Sequence, residues 1–182
     1  MKIAIVGATG LVGSKFIQVL QEKNIQADYT FYSSKNSAGI RLKIFDKLIR
    51  VKDLAEYEGE SFNYALFSAG GEVSKEYAPR FARAGATVID NSSTFRMEKD
   101  IPLVVPEVNI VEALVSESKI IANPNCSTIQ LVQVLHRLRT LSKIKRVVVS
   151  TYQSVSGGGI HSMAELRSNS RKYLKKDKKD LE

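Results

Sequence analysis

Lys2 to Val6 is an apolar run closed by Gly7, and Leu11 to Glu22 then sets Val12, Phe16, Val19 and Leu20 at helical spacing. Strand, turn and helix are therefore predicted within the first 22 residues. Further short apolar runs predict strands at Tyr29 to Tyr32, at Tyr64 to Phe67 before Ser68-Ala69-Gly70-Gly71, and at Ala86 to Ile89 before Asp90-Asn91-Ser92-Ser93. Lys75 to Ala84 has helical composition between the last two, and Leu103 to Val105 and Lys119 to Ala122 add short extended segments. Apolar strands alternating with helices predict βαβ units, hence an α/β fold with a parallel sheet covered on both faces.

The pattern changes after Ala122. A helical stretch from Ile129 to Leu141 follows Cys126, and Lys145 to Tyr152, with Val147, Val148 and Val149, predicts a long β-branched strand. Gln153-Ser154-Val155-Ser156-Gly157-Gly158-Gly159 and a basic helix with few apolar residues complete the chain. A domain boundary is expected near 122, giving units 1–121 and 122–182, the second of about sixty residues and marginal for a core of its own. No internal repeat or low-complexity linker interrupts this order.

Composition narrows the function classes. Hydrophobic content of 43% with 25% charged residues is ordinary for a soluble globular protein. No apolar run is long enough to span a bilayer and the N-terminus lacks a secretory pattern, so a cytoplasmic protein without membrane contact is expected. One cysteine and two histidines give no internal disulfide and no metal-ligand spacing. The net charge of +8 is uneven, with seven basic and four acidic residues from Glu165 to Glu182. Without a zinc-finger, helix-turn-helix or RNA-binding signature, that basic stretch reads as a solvated helix face and no nucleic-acid partner is expected.

Two segments carry chemistry. Gly7-Ala8-Thr9-Gly10-Leu11-Val12-Gly13 joins the first strand to the first helix. Gly7 would permit the turn, Gly10 the approach of a pyrophosphate and Gly13 the packing of helix on strand, so a dinucleotide site is expected rather than a bare βα turn. From Tyr29 to Phe45 there is no carboxylate to hold ribose hydroxyls; Ser33-Ser34-Lys35-Asn36-Ser37, with Arg41 nearby, suits a 2′-phosphate and favours NADP(H), a plain polar loop being the alternative. The second segment is Asn123-Pro124-Asn125-Cys126-Ser127-Thr128, where helix-start residues put the thiol near a helix N-terminus that favours an anion. Cys126 reads either as a thiolate nucleophile or as a small buried hydrophobe.

Together these segments give the chain a resemblance to the bacterial aspartate-semialdehyde dehydrogenases. It is carried by the Gly7 to Gly13 loop, Ser33 to Gly39, Ser68 to Gly71, Asp90 to Ser93, Val105-Pro106-Glu107-Val108-Asn109, Asn123 to Thr128, and Gln153 to Gly158. The related N-acetyl-glutamyl-phosphate reductases share the loop and a cysteine, but theirs usually follows Gly and precedes Tyr. The resemblance implies a Rossmann-like doubly wound sheet followed by the beginning of an α+β catalytic and dimerisation domain. It implies NADP-dependent reductive dephosphorylation of aspartyl phosphate in lysine, threonine and methionine synthesis, in a homodimer, with Cys126 forming a thioester and Gln153 beside it. Arg96 and Asn125 would bind phosphate and substrate; for Arg96 a surface salt bridge is the other reading. Gly7, Thr9, Gly10, Leu11, Val12, Gly13, Ser33, Ser34, Lys35, Ser37, Ser68, Gly70, Gly71, Ser156, Gly157 and Gly158 would line the cofactor.

The resemblance also implies a histidine proton-transfer partner and a substrate-gripping arginine and glutamate beyond the residues present. His136 lies ten residues past Cys126, about 15 Å along a helix, and His161 does not match the histidine motif. Both read as structural or surface residues. A truncated chain with little activity alone is expected, a non-catalytic NADP-binding module being the other possibility.

Overall fold

A computed structural model describes residues 1–179, with side chains through Lys175; the last three residues of the expected second domain lie outside the described residues. The chain divides into two compact units, Met1–Val147 and Val148–Glu182. The first is built on a six-stranded sheet of β1 (Lys2–Val6), β2 (Asp28–Ser33), β5 (Lys52–Asp53), β6 (Tyr64–Phe67), β7 (Thr87–Asp90) and β8 (Ile120–Ala122). Every pairing in it is parallel and the order is β5-β2-β1-β6-β7-β8. From β1 the chain works outward to β2 and β5, then crosses back to β6 and continues to β7 and β8. The strand order thus reverses at β1 and β6, and a ligand crevice opens at the carboxyl ends of strands at such a point.

Both faces of the sheet are covered. Along β1, Ile3 and Ile5 turn to one face and Ala4 and Val6 to the other, all buried, as a parallel strand under two layers requires. Helix α1 (Leu11–Glu22) packs Ile17 and Leu20 with Ile3, Ile5 and Phe31. Helix α2 (Gly71–Arg83) packs Ala78 and Phe81 with Val6, Tyr32, Phe67 and Val88 on the opposite face. Each large side chain buried in this way contributes about 1.5–3 kcal/mol. The doubly wound α/β sheet expected from the sequence is what forms.

Several elements differ from the sequence reading. An antiparallel hairpin of β3 (Arg41–Ile44) and β4 (Lys47–Arg50) precedes β5, burying Ile44 against the α1 face. Helix α3 (Pro106–Val115) starts at a proline, whose missing N–H is harmless in a first turn, and the Asn109 side chain ties that turn to Val105 N and Leu103 O. Leu103 to Val105 makes only an isolated bridge, from Leu103 to Ala122. Helix α4 (Cys126–Leu138) lies within the first unit, where Gln133 donates to Glu107 of α3.

The strand expected over Lys145 to Tyr152 does not form. Residues 143–154 have no regular structure, and Val147, Val148 and Val149 are exposed. β-Branching favours a strand only where a neighbour accepts the ladder of N–H and C=O groups, and among the described residues none pairs with this run. In the second unit a single 3-10 turn at Val155–Gly158 leads into helix α5 (Gly159–Lys179). No helix among the described residues is long and apolar enough to cross a membrane.

Candidate active site

The glycine turn after β1 is held from below by the next strand. Gly7 and Ala8 donate their N–H groups to the Tyr32 carbonyl at 2.9 and 3.2 Å. Gly7 has φ +84°, and a Cβ there would stand 2.4 Å from the Ser68 carbonyl oxygen. A Cβ on Gly13 would stand 2.2 Å from the Gly7 carbonyl, so strand, turn, helix and the end of β6 meet closer than any side chain allows. Gly10 is the residue before the first helical turn, and no side chain caps it. The first-turn amides of Leu11, Val12 and Gly13 have no carbonyl in their own helix to bond to. This cradle fits a pyrophosphate.

The end of β2 closes one side. Thr9 Oγ1 and Ser33 Oγ lie 2.8 Å apart, and Ser33 is buried. Ser34, Lys35 and Asn36 are exposed and Ser37 half-buried on the 3-10 turn that follows, with Arg41 exposed at the start of the hairpin. The sheet adds a carboxylate that the chain order concealed, because Asp53 of β5 stands in register with Ser33. Its side chain accepts from Ala55 N at 3.1 Å, which ties it to its own turn. On the other side of the crevice, β6 runs into Ser68 and Gly70, and Gly70 precedes α2 with φ +92° and no side-chain cap. Gly71 packs against Thr94, whose hydroxyl donates to the Gly71 carbonyl.

β7 and β8 end side by side, with Asp90 in register with Ala122. Asp90 is fully buried and accepts hydroxyl bonds from Ser74 and Ser92, each 2.6 Å. Ser92 in turn accepts from Thr94 N at 3.1 Å, so the loop carrying Arg96 is fixed at its base. Arg96 is half-buried; its Nε donates to the Asn123 carbonyl at 2.9 Å and its Nη2 to the Asn91 carbonyl at 3.1 Å. Among the described residues Lys52–Glu60 is the ion pair present, so Arg96 is held by neutral carbonyls with its charge uncompensated. An arginine held in this way can receive an oxyanion, and the surface salt-bridge reading of Arg96 is not what the structure has.

Cys126 is the first residue of α4 and is exposed, so the buried-hydrophobe reading does not apply. Asn125 precedes it as the cap, its Oδ1 accepting from Ser127 N at 3.0 Å, which leaves its amide nitrogen for a ligand. Gln153, Ser156, Gly157 and Gly158 belong to the second unit. There Ser154 Oγ accepts from Ser156 N, and a Cβ on Gly158 would meet Ser162 Oγ at 2.5 Å, so Gly158 serves the entry into α5. His136 is half-buried on α4, its Nδ1 buried without a hydrogen-bond partner, and His161 is exposed on α5. The sequence did not single out Ser74, which ties helix α2 to Asp90 at the end of β7, while Asn123 after β8 bonds to the Asp90 carbonyl.

Residues 2–116 match the family described as Semialdehyde dehydrogenase, NAD binding domain. The chain belongs to that semialdehyde dehydrogenase family. The Aquifex aeolicus aspartate-semialdehyde dehydrogenase is 49% identical over 175 residues, which is 94% of this chain and 52% of that protein. A crystal structure of Vibrio cholerae aspartate semialdehyde dehydrogenase II complexed with ASA superposes with a TM-score of 0.89 at 44% identity, over 96% of this chain and 52% of the other. The Candida albicans aspartate semialdehyde dehydrogenase, solved with NADP, gives a TM-score of 0.59 at 26% identity over 77% of this chain and 47% of the other. The chain spans about half the length of the relatives it matches.

Proposed function

We propose that the protein acts as an aspartate-semialdehyde dehydrogenase, converting L-aspartyl 4-phosphate to L-aspartate 4-semialdehyde and inorganic phosphate in lysine, threonine and methionine synthesis. The observation that carries this reading is the exposed Cys126 thiol at the first position of α4, three residues past a carbonyl that holds the uncompensated Arg96 guanidinium. Residues 1–121 form the nicotinamide-binding domain, and 122–182 begin the catalytic and dimerisation domain of a cytoplasmic homodimer.

The chemistry follows from the groups at the two strand ends. Arg96 binds the phosphoryl oxygens of the substrate through its remaining N–H donors. The Cys126 thiolate attacks the acyl carbon, the bond from that carbon to the phosphate oxygen breaks, inorganic phosphate leaves, and an aspartyl thioester remains on the sulfur. The first-turn amides of α4 favour negative charge beside the thiol. Asn125 holds the acyl group. Ser34, Lys35 and Ser37 would hold the 2′-phosphate of NADPH bound in the glycine crevice, and the cofactor would supply a hydride to the acyl carbon, the C–S bond breaking to release the aldehyde and return the Cys126 thiolate.

Incubation of the purified protein with L-aspartyl 4-phosphate, without NADPH, tests the reading by intact-mass measurement. An aspartyl adduct is expected on the native protein and absent from Cys126→Ser. Equal adduct on both would sink it.

A further inference from the structure

We propose that Asn123, together with Asn91, is a positioning residue that sets the Arg96 guanidinium and the Cys126 helix from a single point. The proposal rests on Arg96 being the oxyanion-binding cation. Asn91 and Asn123 are the residues that follow β7 and β8, whose last residues stand in register. Their side-chain amides meet across the gap, Asn123 Nδ2 donating to Asn91 Oδ1 at 2.7 Å. Their backbone carbonyls accept from one guanidinium, through Nε at 2.9 Å and Nη2 at 3.1 Å. The amide clasp therefore fixes the separation of the two carbonyls that hold the arginine.

Both ends of the clasp are themselves anchored. Asn123 N donates to the Asp90 carbonyl at 2.8 Å, and Asn91 N donates to the Phe67 carbonyl at 3.0 Å. Two of the five guanidinium N–H groups are engaged on carbonyls, which leaves three for a ligand: both on Nη1 and one on Nη2. Of those three, one on Nη1 and the one on Nη2 share the edge that receives an oxyanion in two parallel hydrogen bonds. From Asn123 the chain runs through Pro124, whose ring fixes φ, to Asn125, which caps α4, and then to Cys126. One asparagine thus sits at the cation and at the root of the thiol-bearing turn. A shift of about 1 Å in such a group costs on the order of 100-fold in a reaction that needs both.

The test uses Asn123→Ala and Asn91→Ala, with Asn123→Asp, which keeps the shape and loses the amide donor, in case the alanine variants do not fold. The first readout is the Arg96 Nε–Hε resonance and its exchange with solvent. Slow exchange is expected in the native protein and exchange at least about 10-fold faster in every variant, since loss of the hydrogen bond at the clasp frees the carbonyls. The second is protection of Cys126 from iodoacetamide by inorganic phosphate, with half-saturation raised about 10-fold in each variant. The double variant is expected to be no worse than either single one, because the two side chains make one interaction. Native exchange and native half-saturation in folded variants would overturn the clasp. Slow Arg96 exchange with no phosphate protection in the native protein, or equal protection in Arg96→Gln, would instead overturn the reading of Arg96 and the positioning role with it.

Discussion

Thr9 Oγ1 and Ser33 Oγ meet at 2.8 Å, tying the glycine turn to the end of the second strand. The bond places the cradle for one part of a dinucleotide beside the loop for another, so the two can be perturbed separately. Lys35 is exposed on that loop and stands in no ion pair among the described residues. Lys35→Glu is expected to weaken NADPH binding by about 5- to 10-fold, as loss of one exposed charge-assisted contact does, and to leave NADH binding within about twofold. Titration of both cofactors at low and high salt checks this, since the Lys35 effect on NADPH shrinks as salt screens it. Equal losses for the two cofactors would remove the 2′-phosphate from this loop.

Two glycines of the cradle, Gly13 and Gly10, should fail in different ways. At Gly13 a methyl group would press on the Gly7 carbonyl at 2.2 Å, a backbone atom that cannot move aside. Gly13→Ala is expected to lose about 1–3 kcal/mol of stability. At Gly10 the nearest atom would be the same carbonyl at 3.2 Å, which a small shift relieves. Gly10→Ala is expected to stay within about 1 kcal/mol of native stability while NADPH affinity falls about 10-fold, because the methyl stands where the pyrophosphate approaches. Urea denaturation and cofactor titration of the two variants separate the effects.

The cradle was legible because its information is local: a strand, three glycines and a helix follow one another within 22 residues. The clasp was not, since Asn91 and Asn123 are 32 positions apart and meet only because β7 and β8 are neighbours. Asp53 likewise reaches Ser33 only through strand register. The β3–β4 hairpin lacks the usual turn signal, for Phe45 takes φ +51° at a position where glycine or asparagine would have announced a turn. The β-branched run at 145–152 misled in the other direction, having the propensity of a strand without a partner for one.

Glu60 and Tyr32 make a pH-dependent pair. Burial pushes the Glu60 carboxyl up, but bonds from its own backbone, the Tyr32 hydroxyl and Lys52 outweigh it and hold the group below the usual carboxylate range. A depressed folded value contributes stability above the unfolded value, about 4.3, and that stability is lost as pH falls through the folded one. Burial, and then the Glu60 charge, push the Tyr32 phenol well above its ordinary value, so its contribution is complete below about pH 10 and is lost as pH rises beyond it. Glu60 is 42% exposed, so screening limits its effect to less than about 1 kcal/mol. Glu60→Gln is expected to be the less stable protein at pH 6 and to equal the native one near pH 3, by urea denaturation at each pH. A stability difference that grows on acidification would reverse the assignment.

Phe81 is where the core is most sensitive. It is fully buried on α2 and touches four rings, stacking on Tyr57 with centroids 3.8 Å apart and planes 9° from parallel, lying at 5.8 Å from Phe62, and meeting Tyr32 and Phe67 edge-on. Arg80 donates to the Tyr57 carbonyl at 2.7 Å, which fixes the far side of the stack. Phe81→Ala removes the common member of these contacts and leaves a cavity that the sheet on one side and the Tyr57 turn on the other cannot both close. A loss of about 3–5 kcal/mol is expected, on the order of 10 °C in Tm for a unit of this size. Phe81→Leu restores most of the volume and should lose less than about half of that. Met97→Ala, at a position 92% exposed, should leave Tm unchanged. If Phe81→Ala melts within 2 °C of the native protein, a bound given by roughly 1 kcal/mol, the aromatic layer does not hold α2 to the sheet.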